Sequence, residues 1–479
     1  MKKVQSKMKK VQKTKKPKPL APRHVIPAHC TICRSALLKK YVEKIVETTK
    51  IDPELYVQYN VKRGLRNADG SGVLVGLTTI GSVIGYVVSE QDKTAVPGRL
   101  VYRGIDVPDL VKGFQKEKRF GFEETCYLLL FGELPTAAEL KKFCGVLDSV
   151  RAVPERFKSD EFMRSPSPDV MNKLARCILA SYSYDPNPDG LSKENVLRQC
   201  LELIARLPAF IAYGYLSKEY HFDHKPMFFN DPVPGKSTAE NFLMLLRQDR
   251  KYTRLEAEVL DLCLILHAEH GGGNNSTFTN HVVTSTHTDT YPAMAASVVS
   301  LKGPLHGGAN VQVEQMMEDI CAHVKNWESE GQVADYLNKI LYRQAFDRKG
   351  LIYGLGHAVY TVSDPRTTIL REKAKDLARA DGKMPLFNLY RLVEKLAPVL
   401  FMKFKGAKQA LPVNVDFYSG MVYNLLGIPR ELYTPLFAMA RISGLSAHRI
   451  EELLCGGKII RPAYKSIAAS QRFVPLKRR

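Results

Sequence analysis

The sequence predicts a mainly α-helical protein with a minor β hairpin near its N-terminal part. From about Phe122 onward, apolar residues recur at helical spacing in nearly every segment, and short loops with glycine or proline separate the segments. Only residues 72–88 and 98–104, rich in Val, Ile, Thr and Gly, offer a good pair of strands. A chain of 479 residues can bury a large core, and we expect two lobes.

Local signals place each element. An amphipathic helix is expected over residues 35–49 with Ser35 as its cap, and the strand pair follows it. Pro208 predicts a kink in the helix expected over residues 195–216, because proline removes a backbone hydrogen bond. The helices expected after the hairpin cover residues 123–131, 137–150, 170–182, 195–216, 239–247, 255–269, 292–302, 333–345, 369–380, 386–400, 417–426 and 433–448.

The charge is strongly positive and partly local. The chain carries a formal charge of +21, while residues 1–24 contain nine Lys, one Arg and no acidic residue. We therefore expect residues 1–34 to form a basic, disordered tail that is solvated rather than a specific nucleic-acid reader. The remaining positive charge favours anionic substrates.

Cysteine usage and the N-terminus indicate the cytoplasm. The nine cysteines are irregularly spaced, which is typical of a reducing compartment, and no apolar run resembles a signal or a membrane span. Cys30 and Cys33, with His24 and His29 upstream, resemble half of a zinc site. Because a second ligand pair at suitable spacing is missing, we interpret them as incidental thiols and expect no metal.

His306 lies in the loop GPLHGGAN, residues 303–310, between two helical patterns. Asn310 is a candidate cap for the second helix, so His306 is expected just ahead of a helix N-terminus. The partial positive charge there disfavours imidazolium, and a neutral imidazole can donate one hydrogen bond to a developing enolate. The alternative is a loop histidine that only caps backbone groups.

Two further histidines stand beside glycines. His270 follows the helix expected over residues 255–269, where the helix C-terminus favours a protonated, carboxylate-binding imidazole; a structural histidine is the alternative. A zinc site with His267 is disfavoured, because the two histidines are three rather than four residues apart. His357 follows Gly354, Leu355 and Gly356, a turn whose backbone N–H groups can approach a ligand closely.

One acid and two arginines complete the pattern. Asp416 begins an apolar helix, either as a helix cap or as a general base. Arg441 and Arg461 are flanked by apolar residues, which is typical of arginines that bind an anion or an acidic side chain. With Arg366, which follows the His357 motif, the set suggests enolate chemistry on a polycarboxylate.

The order of motifs resembles the citrate synthase family over roughly residues 60–479. The motifs that carry this resemblance are HAEHGGGNNS, GPLHGGAN, GLGHAVYTVSDPR, VNVDFYSG, FAMARISG and KIIRPAY, preceded by GLRNADGSGVLVGLTTIG and GRLVYRGIDVPDL. Six spaced motifs in one order are far more specific than any single glycine loop.

The resemblance implies a reaction and roles. Asp416 would remove a proton from the methyl group of acetyl-CoA while His306 hydrogen-bonds the thioester oxygen. His357 would donate to the oxaloacetate carbonyl, and citryl-CoA would then be hydrolysed. The alternative within the family is 2-methylcitrate synthesis from propionyl-CoA, because one methyl group changes binding by only about 1–3 kcal/mol.

The resemblance also implies the substrate ligands and the assembly. Ser276 would orient His306, with Asn274 beside it. The turn of Gly354, Leu355 and Gly356 would contact CoA. The residues that match oxaloacetate ligands are His270, Arg366, Arg441 and Arg461, the last contributed across a homodimer.

The domain organisation of the family implies a large helical domain of residues 35–314 and 429–479. A small helical domain of residues 315–428 would close on it and exclude water.

One departure concerns the CoA phosphates. Basic residues that many members carry after the third motif histidine are replaced here by Ala358, Thr361 and Val362. Phosphate contacts would then come from other basic residues, for which the candidates are Arg343, Arg348 and Lys349. Two other classes remain as alternatives: a nucleic-acid-associated protein, supported by the tail alone, and a zinc-dependent hydrolase.

Overall fold

The structure is a computed structural model that describes residues 36–89, 92–406 and 411–479. The predicted tail, Cys30 and Cys33 lie outside the described residues. The described part is mainly helical with one small sheet, which confirms the predicted fold class. Within it, no helix combines the length and the apolar character needed to cross a membrane.

The α-helices of the described residues are numbered in chain order. They are α1 (Ala36–Thr48), α2 (Pro53–Gln58), α3 (Val107–Lys116), α4 (Phe122–Phe131), α5 (Ala137–Val150), α6 (Glu155–Phe157), α7 (Val170–Ala180), α8 (Lys193–Phe222), α9 (Thr238–Leu246), α10 (Arg254–His267), α11 (Asn275–Thr284), α12 (Thr290–Lys302), α13 (Ala309–His323), α14 (Glu330–Leu341), α15 (Pro365–Ala380), α16 (Met384–Lys405), α17 (Asp416–Leu425) and α18 (Tyr433–Leu454). A π-helix spans Lys158–Met163, and 3₁₀ turns span Arg63–Leu65, Ser181–Tyr184, Arg430–Leu432 and Leu476–Arg478.

The predicted hairpin is part of a three-stranded antiparallel sheet. Its strands are β1 (Gly81–Ser89), β2 (Asp92–Tyr102) and β3 (Ile105–Asp106), in the order β1-β2-β3. The register between β1 and β2 shifts at Gly85. A Cβ atom at Gly85 would lie 2.2 Å from the carbonyl oxygen of Val359, so the sheet packs directly against the loop that follows His357.

Several helices differ from their predictions. The helix α8 spans Lys193–Phe222, with Pro208 inside it, rather than residues 195–216, and α18 extends to Leu454 rather than residue 448. The helices α2, α3, α6 and α11 were not predicted. In α11 the sequence is polar and β-branched without a clear apolar period, and the helix begins where the Asn274 side chain accepts the N–H of Thr277.

The helices that carry the predicted site residues pack on one another. The helix α10 contacts α18 and α15, and α17 contacts both α15 and α13. The helix α18 is buried along most of its length, from Tyr433 to Arg449. Side chains at the ends of these helices are therefore held by a rigid, close-packed core.

The chain divides into two compact units. One contains residues 36–74 and 219–225, and within it α1 has no buried residue. The other contains residues 75–218 and 226–479 apart from the undescribed ones, including every predicted site residue. The predicted lobes, residues 35–314 with 429–479 and residues 315–428, divide the chain at other positions and stay a prediction.

Candidate active site

The end of α10 is held from two sides. The Tyr102 hydroxyl lies 3.0 Å from the carbonyl oxygen of Ile265 and 3.1 Å from that of Glu269. From α18, Nε of Arg441 donates to the carbonyl oxygen of His267 over 2.9 Å. Because Tyr102 and Arg441 are both fully buried, the backbone leading to His270 is fixed.

His306 is neutral and has one ring nitrogen committed to the protein. Its Nε2 accepts the backbone N–H of Ser276 over 3.3 Å, so the ring proton is on Nδ1. Burial, with a further contribution from Arg441, lowers the pKa of His306 to about 4. The neutral form agrees with the prediction, but α13 begins at Ala309 with Gly308 as its cap, so Asn310 is not the cap.

Ser276 and Asn274 lie beside His306. It is the backbone N–H of Ser276 that reaches the imidazole, while the hydroxyl donates to Oδ1 of Asn274 over 2.7 Å. The Asn274 amide also donates to the carbonyl oxygen of Gly271 over 2.6 Å. Asn274 therefore caps α11 and ties that helix to the turn after His270.

His357 is also neutral, with the opposite tautomer. Its Nδ1 accepts the backbone N–H groups of Val359 and Tyr360 over 3.0 and 3.1 Å, so Nε2 carries the ring proton. Burial, with Arg366 adding to it, lowers the pKa of His357 to about 4. The imidazole centroid lies 5.1 Å from that of His270.

The protonation state of His270 differs from the one predicted. Burial lowers its pKa well below the usual value, and the nearby charges of Arg366 and Arg441 act in the same direction. The imidazole is therefore neutral rather than protonated. The predicted effect of the helix C-terminus is outweighed because α10 already ends at His267 and cations surround the ring. Its buried Nε2 has no hydrogen-bond partner among the described residues, so it can contact a ligand.

Arg366 is paired with an acid that the sequence analysis did not single out. Nε and Nη2 of Arg366 donate to the two oxygens of Asp364 over 3.0 and 2.8 Å, and both side chains are buried. Asp364 also caps α15 and accepts the N–H of Val415 over 3.1 Å. Asp364 thus links a predicted substrate ligand to the residue before Asp416.

Asp416 begins α17 but does not cap it. The cap position is Val415, and the Asp416 carboxylate accepts no hydrogen bond from the described residues. Burial raises the pKa of Asp416 to about 6, although Arg366 opposes the shift. A carboxylate that is unbonded, half-buried and raised in pKa has the character of a general base.

Arg441 and Tyr360 present unused polar atoms. Nη2 of Arg441 and the hydroxyl of Tyr360 are buried without a hydrogen-bond partner among the described residues. The Tyr360 ring stacks on His357 at 4.5 Å and meets the His270 ring at 5.6 Å. Buried donors without partners beside neutral histidines indicate a site for an anionic ligand.

The turn of Gly354, Leu355 and Gly356 is engaged within the protein. Gly356 donates its N–H to the carbonyl oxygen of Pro412, and Asn414 donates its N–H to that of Gly354. Leu355 pairs with Val413 in an isolated bridge. The N–H of Gly356 is therefore not free for a phosphate, and the turn holds the segment that leads into Asp416.

The remaining candidates lie outside this cluster. Arg461 is exposed in the C-terminal segment, and the candidates for phosphate contacts, Arg343, Arg348 and Lys349, are exposed between α14 and α15.

His267 is buried, and burial lowers its pKa well below the usual value. No group of three or more His, Cys, Asp or Glu residues suited to a metal ion occurs in the part of the chain that the structure describes.

Comparison with known proteins identifies the family. The family described as "Citrate synthase, C-terminal domain" matches residues 70–463. A citrate synthase of Synechocystis sp. is 35% identical over 389 residues, covering 78% of this chain and 86% of the relative. A 2-methylcitrate synthase of Shewanella oneidensis is 32% identical over 375 residues, covering 78% of this chain and 90% of the relative.

A solved structure agrees with the sequence relatives. It is the ternary complex of carboxymethyl coenzyme A and oxaloacetate with citrate synthase from Thermoplasma acidophilum. The TM-score is 0.70 at 26% identity, over 88% of this chain and 99% of that one. The fold is that of a condensing enzyme of the transferase type. The chain belongs to the citrate synthase family.

Proposed function

We propose that this protein condenses acetyl-CoA with oxaloacetate and hydrolyses citryl-CoA to citrate and CoA. The observation that carries the proposal is the contrast between Asp416 and the two histidines. The pKa of Asp416 is raised to about 6, so it is ionised but basic at neutral pH. His306 and His357, with pKa values of about 4, are neutral hydrogen-bond donors.

Carbon–carbon bond formation follows from these states. Asp416 takes a proton from the methyl group of acetyl-CoA, and Nδ1–H of His306 donates to the thioester oxygen as the enolate forms. The enolate carbon attacks the ketone carbon of oxaloacetate. His357 donates a hydrogen bond from Nε2–H to the ketone oxygen as negative charge develops there. That oxygen then takes up one proton, equal to the one Asp416 removed from the methyl group, and becomes the hydroxyl group of citryl-CoA, so that Asp416 is ionised again. Water then cleaves the thioester and releases the CoA thiol.

Oxaloacetate binding is assigned to the cationic part of the site. Arg441 has an unused Nη2, Arg366 is held by Asp364, and His270 has an unused Nε2. Two carboxylates need more positive charge than these groups supply after the ion pair to Asp364. We assign the remaining charge to Arg461 of the partner subunit in a homodimer, which is compatible with the exposure of Arg461 in the single chain.

Two further parts of the proposal concern acetyl-CoA. Closure of residues 315–428 on the rest of the chain would exclude water from the enolate. The exposed Arg343, Arg348 and Lys349 would contact the CoA phosphates, since the basic positions near His357 are lost. The reaction as proposed uses no metal ion, and activity unchanged by a chelator would agree with it.

The acyl group is the open choice, because relatives of similar identity are named citrate synthase and 2-methylcitrate synthase. Thiol release from acetyl-CoA and propionyl-CoA, compared by kcat/KM with oxaloacetate, decides between them. We expect acetyl-CoA to be preferred. A higher kcat/KM for propionyl-CoA would establish the 2-methylcitrate alternative, and thiol release with neither would overturn the proposal.

A further inference from the structure

The residue that precedes His270 carries a buried carboxylate, which contacts a buried imidazole. The side chains of Glu269 and His448 are both 0% exposed, and Nε2 of His448 lies 3.1 Å from Oε1 of Glu269. The same Oε1 accepts the backbone N–H of Gly271. These two residues, here the Glu269–His448 pair, therefore hold the chain on both sides of His270.

Glu269 is closely enclosed. A Cβ atom at Gly444 would lie 2.3 Å from Oε2 of Glu269, and one at Gly81 would lie 2.8 Å from its Cγ. The backbone N–H of Glu269 donates to the Tyr102 hydroxyl, with 3.3 Å between nitrogen and oxygen. Because a buried carboxylate is costly without partners, a charged group enclosed so tightly next to a substrate ligand needs an explanation.

The helix α18 contacts the same segment twice. Arg441 and His448 are seven residues apart, about two helical turns, so they lie on one face of α18. Arg441 holds the carbonyl oxygen of His267, and His448 holds Glu269. The segment of residues 267–271 is thus fixed to α18 at two points, His267 and Glu269, both of which precede His270.

The charge of Glu269 also acts on Arg441, although the two side chains form no ion pair. Arg441 forms no ion pair with a described carboxylate within 4.0 Å, and Oε2 of Glu269 and Nη2 of Arg441 are both buried without hydrogen-bond partners. Burial lowers the pKa of Arg441, and Glu269 is the carboxylate that most opposes this shift. Glu269 therefore favours the charged form of the guanidinium while leaving Nη2 available.

We propose that the Glu269–His448 pair is a positioning pair for the dicarboxylate substrate. It fixes the His270 turn in the arrangement that receives oxaloacetate, and the charge of Glu269 favours the charged guanidinium of Arg441, without either residue of the pair touching substrate. This inference rests on the proposed function, since it concerns the oxaloacetate half of the same site.

The test breaks the contact from each side. In His448→Gln the amide nitrogen can replace Nε2, whereas in His448→Asn the shorter side chain cannot reach Glu269. Glu269→Asp keeps the charge, but its shorter side chain cannot reach both His448 and Gly271. We expect KM for oxaloacetate to rise about tenfold or more in His448→Asn and Glu269→Asp, with KM for the acyl-CoA changed less than about twofold. His448→Gln should keep most of the wild-type affinity.

The matched control is His281→Asn. The His281 ring lies 5.1 Å from that of His448, but its Nδ1 contacts Glu452 at 2.7 Å rather than residues 267–271. We expect it to leave KM for oxaloacetate unchanged. The double variant Glu269→Asp/His448→Asn should be little worse than either single variant, because the two substitutions break the same contact between Glu269 and His448.

The outcomes separate this inference from the proposed function. If the wild-type protein releases no thiol, the proposed function fails. If the wild type is active, and His448→Asn or Glu269→Asp lowers Tm while KM for oxaloacetate stays unchanged, the pair is only structural and the inference is overturned. Should His448→Asn not fold, Glu269→Asp alone decides by the same criterion.

Discussion

Asp364 forms a two-point ion pair with Arg366, and the oxygen that accepts Nη2 also accepts the N–H of Val415. A single buried carboxylate therefore joins the N-terminus of α15 to the N-terminus of α17. The guanidinium assigned to oxaloacetate and the base assigned to acetyl-CoA share one anchor, which fixes their separation before either substrate binds.

Asp364→Asn should therefore destabilise the protein. It leaves the Arg366 guanidinium buried without its counter-charge, and breaking such a pair costs about 3–5 kcal/mol. The free energy of unfolding in urea measures this loss. Asp376→Asn on the same helix is the control, because its ion pairs with Lys373 and Arg379 are longer and more exposed. Equal stability of the two variants would show that the Asp364 pair is not an anchor.

Asp416→Asn should remove the base and keep the shape of the site. The amide cannot accept the proton, so we expect kcat to fall by about 10²- to 10⁴-fold. Oxaloacetate affinity, measured by calorimetry, should change little. A kcat within tenfold of the wild type would exclude Asp416 as the base.

The same substitution should raise stability at alkaline pH. The folded state holds the Asp416 proton to about pH 6, above the usual value near 3.8, so wild-type stability falls as pH rises through this window. Asparagine does not titrate. Asp416→Asn should therefore have the higher Tm at pH 8, with the difference absent below about pH 4.

Activity should depend on pH through Asp416. The base is active when ionised, so kcat/KM for the acyl-CoA should rise with pH through a midpoint of about 6 and then stay level. His306 and His357 are neutral above about pH 4 and do not limit this range. Rates from pH 5 to 8.5 test the prediction, and a midpoint near 4 would assign the acid limb to another group.

Arg461 can be tested by mixing subunits. Arg461→Leu should weaken oxaloacetate binding by about 2–5 kcal/mol, as for loss of a charged donor. If Arg461 acts across a homodimer, a heterodimer of Asp416→Asn and Arg461→Leu subunits has one site with both defects and one with neither. Mixing the two inactive variants should then restore activity. No recovery after verified subunit exchange would place Arg461 in its own subunit's site or in a structural role.

The sequence allowed prediction of the fold class and of residues that meet in one cluster, because local glycines and helix ends mark His306, His357 and Asp416. The protonation state of His270 could not be predicted in this way. It depends on Arg366 and Arg441, which are 96 and 171 positions away and approach only after folding.

The residues that hold the site in place through long-range hydrogen bonds could not be predicted from the sequence either. Asp364 stands in a predicted motif, but its contact with Val415 joins residues 51 positions apart, and that of Tyr102 with Glu269 spans 167. Long-range hydrogen bonds leave no periodic pattern in a sequence. The helix α11 was missed for a related reason, since its stability comes from the Asn274 cap and packing on α12 rather than from an apolar stripe.

The approach of Gly85 to the carbonyl of Val359 has a consequence for how this protein tolerates change. The contact is between two main chains, so no rotamer can relieve a clash at 2.2 Å. Alanine, serine and larger residues would all meet the same obstacle, whatever their polarity. In a saturation library, position 85 should therefore accept glycine alone. Substitution at this position near His357 would then be limited by the packing of the sheet and not by the chemistry of the reaction.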